Sequence, residues 1–105
     1  MSQISELNDA FRTNLQEGQI LLTRGVAALP AEIVADALQR VRVFDEFTID
    51  NDPHEEHDFG SVELSGHKFF FKIDYYDKEL VHGSEDPADP DRTTRVLTVM
   101  RAEEY

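Results

Sequence analysis

The sequence predicts an α+β fold, with two helices packed on one face of a mostly antiparallel sheet of three or four strands. Two segments near the N-terminus have apolar residues at spacings of three and four, which is typical of amphipathic helices. Residues 59–76 contain two strand-like arms around a central turn, and the second arm has one apolar side, which indicates a β-hairpin. Residues 96–100 are apolar at both parities, as in a central strand buried on both faces.

The elements follow in the order helix, strand, helix, hairpin and strand. A first helix is expected over residues 3–17, because an apolar stripe runs along it at helical spacing: Ile4, Leu7, Phe11 and Leu15. The segment QILLTRG predicts a strand over residues 19–24. Pro30 suits the first turn of a second helix, whose apolar pattern extends to about residue 42.

The hairpin has a defined core side. Ser65-Gly66 supplies its turn, and Gly60 suggests a β-bulge in its first arm. In the second arm the core side is formed by Phe69, Phe71, Ile73 and Tyr75. Residues 45–58 form an exposed loop that we expect Phe47 and Ile49 to pin to the body. Two prolines prevent regular structure in a second loop around residues 77–91.

Length and composition limit the class of protein. The chain has 105 residues, which predicts a single acidic α+β domain over residues 1–105. Because it contains no Cys, a disulfide scaffold, a thiolate zinc site and a Cys nucleophile are excluded. No apolar segment approaches the roughly 18 residues of a membrane span. We therefore expect a cytoplasmic protein that binds no membrane and needs no cofactor.

The negative charge is concentrated in one stretch. The chain has a formal net charge of −12, and residues 45–91 contain fifteen carboxylates and three Lys. The remaining residues contain seven acids and seven Arg, so their charges balance. A negative surface argues against direct binding to nucleic acid. It favours a basic protein surface as partner, unless the charge only aids solubility.

One polar segment is a candidate metal site. In NDPHEEHD the residues His54, His57 and Asp58 supply the imidazole and carboxylate ligands that Zn, Mn and non-haem Fe use. The alternative is a solvated loop whose Asp and Asn side chains bond the local backbone. No catalytic residue is assigned, because no nucleophile motif or phosphate-binding Gly-rich loop is present.

The chain also resembles a known family. The stretches LTRGVAALP, DNDPHEEHDFG, FKIDYYD and GSEDPADPDRTTRVLTVM, with the closing EEY, resemble a domain-of-unknown-function family of small acidic bacterial proteins. Members of that family are often carried on plasmids and mobile elements. The resemblance implies a bacterial, cytoplasmic setting. It also implies a Gly at the position of Glu55.

The sequence thus predicts a non-enzymatic binding module whose acidic face engages a basic protein surface. On a mobile element such a module can act as a DNA mimic that inhibits a host nuclease, restriction enzyme or CRISPR effector. The expected partner-binding residues are Asp50, Asp52, Glu55, Glu56, Asp58, Tyr76, Glu85, Asp86 and Asp89. Two alternatives stay open. One is a metal-binding protein or metal-dependent hydrolase centred on His54, His57 and Asp58, and the other is an accessory domain that dimerises through Phe70 and an edge strand.

Overall fold

A computed structural model of the chain describes residues 3–15 and 18–105. The helices and strands, in chain order, are α1 (Gln3–Asn14), β1 (Gly18–Leu22), α2 (Arg24–Ala27), α3 (Ala31–Val43), β2 (Phe59–Leu64), β3 (His67–Tyr76) and β4 (Thr94–Arg101). A 3-10 turn, Ala102–Glu104, follows β4. None of the described helices is long and apolar enough to cross a membrane.

The four strands form one sheet in the order β1-β4-β3-β2. The hairpin of β2 and β3 is antiparallel, and β3 also pairs antiparallel with β4. Only the β1–β4 pair is parallel within the described sheet. The sheet is therefore mostly antiparallel, as predicted, and β4 is a central strand.

All three helices contribute to one core on one face of the sheet. Phe11 of α1, Val26 of α2 and Val41 of α3 are buried in the same cluster as alternate residues of the strands. The strand residues in that cluster are Val62, Leu64, Phe69, Phe71, Ile73, Leu97 and Val99. The fold is α+β, and the predicted core parity of β3 is confirmed.

The first strand is shorter than predicted, and α2 replaces its end. Thr23 makes the last backbone bond to β4, from its N–H to the Val99 carbonyl (3.1 Å). The Glu104 carboxylate then accepts the Thr23 hydroxyl (2.7 Å) and the Gly25 N–H (3.1 Å). The contact between Glu104 and residues Thr23 and Gly25 thus ends the strand and begins α2. No local sequence pattern indicates this contact.

Three other local expectations need correction. The expected first helix, residues 3–17, ends at Asn14, and residues 16 and 17 lie outside the described part of the chain. The bulge at Gly60 is absent, because the β2–β3 register is continuous there. A Cβ on Gly60 would lie 2.5 Å from the Phe71 ring, so the glycine makes room for that ring. Phe47 packs on Phe44 (4.9 Å between ring centroids), but Ile49 is 81% exposed and pins nothing.

Candidate functional site

Both acidic loops leave the sheet at the same end. The first acidic loop (residues 44–58) enters the sheet at the start of β2, and the second acidic loop (residues 77–93) joins the end of β3 to the start of β4. Antiparallel pairing places these strand ends side by side, with Phe59 opposite Lys72 and Tyr76 opposite Thr94. We call this end of the molecule, formed by the two loops and α1, the acidic end.

Asn8 of α1 connects the first acidic loop to the sheet. Its side chain is fully buried, and its Nδ2 donates to the Glu56 carbonyl (3.0 Å) and to the Tyr75 hydroxyl (2.8 Å). The Tyr75 hydroxyl also lies 3.4 Å from the Glu56 carboxylate. One amide thereby fixes the loop backbone and a strand side chain together.

Arg95 extends the same network to the second acidic loop. Its Nε donates to Asn8 Oδ1 (2.6 Å), and its Nη2 donates to the Pro87 carbonyl (2.6 Å). The guanidinium also stacks over the Tyr75 ring, 5.2 Å from the ring centroid. We call Asn8, Tyr75 and Arg95 the polar hub. Because the hub bonds to Glu56 and Pro87 at once, it fixes both acidic loops to the same point of the sheet.

Burial changes the ionisation of groups near the hub. Burial raises the pKa of Tyr75 above its usual value, so the phenol stays a neutral donor. Burial, and then the neighbouring Glu56 carboxylate, raise the pKa of Asp58 above its ordinary value of 3.8. Burial lowers the pKa of Arg95, yet an arginine remains charged throughout the physiological range. A buried cation, Arg95, therefore lies close to the partly buried carboxylates of Glu56 and Asp58.

A second cluster attaches the first acidic loop to α1. The His57 imidazole places Nδ1 3.0 Å from the Asp9 carboxylate and Nε2 3.7 Å from Asp52. Its ring stacks on Phe47, with 4.1 Å between centroids and a 2° angle. Asp9 also pairs with buried Arg12 (2.7 Å). His57 therefore attaches the loop to α1, and its ring does not occupy an exposed position suited to a metal ligand.

The predicted residues of the first acidic loop separate into two groups. Asp50 and Glu55 are exposed, as a partner-binding role requires. Asp52 is buried, and its carboxylate accepts the N–H groups of Glu56 (3.0 Å) and His57 (3.1 Å). Asp52 is therefore an organiser of the loop. Glu56 and Asp58 are partly buried beside the hub.

The predicted residues of the second acidic loop also divide into an exposed residue and residues that shape the loop. Glu85 is exposed and pairs with Arg92 (3.1 Å). Asp86 accepts the Ala88 N–H (3.2 Å), and Asp89 accepts the Asp91 N–H (2.9 Å), so both use one oxygen to shape turns. Tyr76 lies on the sheet face away from the helices and bridges to Gly83, outside the hub.

The candidate metal ligands do not form a metal site. Among residues 3–15 and 18–105, no group of three or more His, Cys, Asp or Glu side chains is arranged to hold a metal ion. His54 is exposed, whereas His57 is partly buried between Asp9 and Asp52. A small cleft of about 260 Å³ lies beside His57, between Phe47 and Glu55.

The polar hub was missed at the level of sequence. The helical stripe directed attention to Ile4 and Leu7, yet the most buried positions of α1 are Ser5, Asn8, Phe11 and Arg12. Two signals existed. Ser5, Asn8 and Arg12 recur at helical spacing, and Arg95 is a charged residue next to the apolar run of a mostly buried strand.

The fold and the acidic end together define a small acidic α+β domain with two loops fixed on a buried arginine and asparagine. A family model described as "Protein of unknown function (DUF3768)" matches residues 22–104. The chain belongs to this family, as the resemblance of its motifs implied. No curated protein and no solved structure shows significant similarity to it.

Proposed function

We propose that the protein is a binding module without catalytic activity, whose acidic end engages a basic surface on a partner protein. The observation that carries the proposal is the polar hub, which bonds to Glu56 of one loop and Pro87 of the other. The loops thereby present their carboxylates on one preorganised surface. A preorganised surface loses less conformational entropy on binding than two free loops would.

The charge distribution supports the proposal. Residues 45–91 carry the whole net charge of −12, and both acidic loops lie within or beside that stretch. A field of one sign steers an oppositely charged partner and raises its association rate. The exposed carboxylates Asp50, Glu55 and Glu85 are the best placed for direct contact.

The class of partner follows from the charge. A surface that attracts clustered Lys and Arg competes with the phosphate backbone for nucleic-acid-binding proteins. We propose an inhibitor that mimics DNA and occupies the nucleic-acid groove of a host nuclease, restriction enzyme or CRISPR effector. The cytoplasmic setting and the plasmid or mobile-element context implied by the family resemblance belong to this proposal.

The test compares two variants of equal charge. The acidic-end variant neutralises three exposed carboxylates of the two loops: Asp50→Asn, Glu55→Gln and Glu85→Gln. The control variant neutralises three exposed carboxylates of α3 and β2: Glu32→Gln, Asp36→Asn and Glu63→Gln. Each immobilised protein is used to capture proteins from a bacterial lysate at low and high salt, with and without competing duplex DNA.

We expect wild type and the control variant to capture basic nucleic-acid-binding proteins that the acidic-end variant fails to hold. Duplex DNA displaces those proteins, and so does about 1 M salt, where charges are screened beyond roughly 3 Å. Equal capture by both variants contradicts a localised site, because net charge alone then explains binding. Capture of nothing by wild type contradicts the proposal altogether.

A further inference from the structure

The two edge strands of the sheet, β2 and β1, differ in how they are protected from pairing with another strand. At the β2 edge, Arg40 of α3 reaches the Glu63 carbonyl (3.5 Å), and the strand carries the charge of Glu63. At the other edge, β1 pairs only with β4 in the described structure. Its residues Gly18–Leu22 contain no charge and no proline, the devices that usually protect an edge strand.

The outer edge of β1 offers hydrogen-bonding groups. Thr23 directs its N–H to Val99 of β4, and the backbone groups of successive strand residues point to opposite sides. Leu21 therefore also faces β4, whereas Ile20 directs its N–H and carbonyl outward. The side chains are accessible as well, since Ile20 is 37% and Leu21 50% exposed.

We propose that this edge binds a second copy of the chain, with the two β1 strands antiparallel about a two-fold axis at Ile20. In that arrangement Ile20 exchanges both backbone bonds with Ile20 of the other copy, and Gly18 lies opposite Leu22. The four-stranded sheets join into one sheet of eight strands, with the helices of both copies on the same face. An isologous contact of this kind closes on itself and stops at a dimer.

The neutral residues of β1 allow contact with a second copy without local charge repulsion, and the distribution of charge favours the antiparallel orientation. The contacting residues are neutral, and each copy carries its net charge of −12 within residues 45–91. β1 is parallel to β4, so both strands begin at the acidic end. Antiparallel pairing therefore places the two acidic ends at opposite ends of the dimer, whereas parallel pairing would bring them together. The proposal does not depend on the proposed function.

Sedimentation across a concentration series tests the pairing. We expect wild type to form a dimer that tightens as salt is raised, because salt screens the repulsion between two acidic copies. This direction is opposite to the salt dependence proposed for a basic partner. Ile20→Pro removes the outward N–H and no bond to β4, so it should give a folded monomer. Ile20→Thr, which keeps the N–H, should still dimerise. A wild type that is monomeric up to about 1 mM, or an Ile20→Pro dimer as tight as wild type, overturns the proposal.

Cross-linking keeps the proposal testable if Ile20→Pro fails to fold. The chain has no Cys, so a single introduced thiol reports one position. Paired residues that exchange backbone bonds have Cα atoms about 5.5 Å apart, within reach of a short bismaleimide. Ile20→Cys should cross-link rapidly into dimers, and Ser61→Cys on the exposed surface of β2 should not. Equal rates for the two variants would show random collision and refute the edge contact.

Discussion

The polar hub makes a strong prediction for Asn8. In Asn8→Ala the Glu56 carbonyl loses its donor and the Arg95 Nε loses its acceptor, while Tyr75 keeps its 3.4 Å contact with the Glu56 carboxylate. A buried polar group left without a partner costs about 1–3 kcal/mol, and a charged one costs more. The loss of partners for the Glu56 carbonyl and the charged Arg95 guanidinium should therefore lower the free energy of unfolding by about 4 kcal/mol.

That loss is large for a chain of 105 residues. The free energy of unfolding of a small domain is typically about 5–15 kcal/mol, and each kcal/mol shifts Tm by roughly 4–8 °C. We expect Asn8→Ala to lower Tm by at least about 15 °C in calorimetry, by that conversion. The higher helix propensity of Ala offsets less than about 0.7 kcal/mol.

A matched control separates the hub from the helix. Asn14→Ala makes the same substitution at an exposed position of α1, and should change stability by less than about 0.5 kcal/mol. Limited proteolysis gives a second readout, since loss of the hub should release both acidic loops for cleavage in residues 44–58 and 77–93. A cost below about 1 kcal/mol for Asn8→Ala, with both loops still protected, would refute the role of the hub.

Two further predictions concern Asp58 and Gly60. The folded-state pKa of Asp58 is raised, so ionisation of Asp58 removes stability as pH rises from the ordinary value of 3.8 through the raised value. Asp58→Asn should therefore be more stable than wild type at pH 7 and equal to it below 3.8, with Asp50→Asn at an exposed position as the matched control. A gain for Asp58→Asn that is the same at both pH values would contradict this. Gly60→Ala should lower the free energy of unfolding by about 1–3 kcal/mol in urea titration, because its Cβ would overlap the Phe71 ring. Gly83→Ala, whose Cβ has no neighbour closer than 3.8 Å, is the control, and similar losses for both glycines would contradict overlap with Phe71 as the cause.

Periodic patterns predicted most of the fold. The alternation in β3 identified its core side, and Ser65-Gly66 identified a turn in which both residues adopt positive φ. The apolar positions of residues 96–100 identified a central strand. These patterns succeed because the burial of one side of a strand or helix repeats with the period of the backbone.

Contacts distant in sequence account for the failures. Glu104 ends β1 through Thr23 and Gly25, and Phe71 explains the glycine at position 60, although neither contact leaves a local pattern. Glu55 adopts φ +56, the left-handed region that favours glycine, and nothing in the local pattern of residues 45–58 indicated this conformation.

The sequence by itself determined the α+β class, the core side of β3, and the concentration of negative charge in residues 45–91. Composition and periodicity are local properties, so they can be read without a fold. Only the tertiary structure decided that the two acidic loops share one end and that Asp52 organises its loop. It also decided that Asn8 and Arg95 hold the loops together. Asn8 and Arg95 are 87 residues apart in the chain, and the packing of α1 across the sheet brings them together. A buried hydrogen bond of that kind is specified by the whole core rather than by its neighbours in the chain.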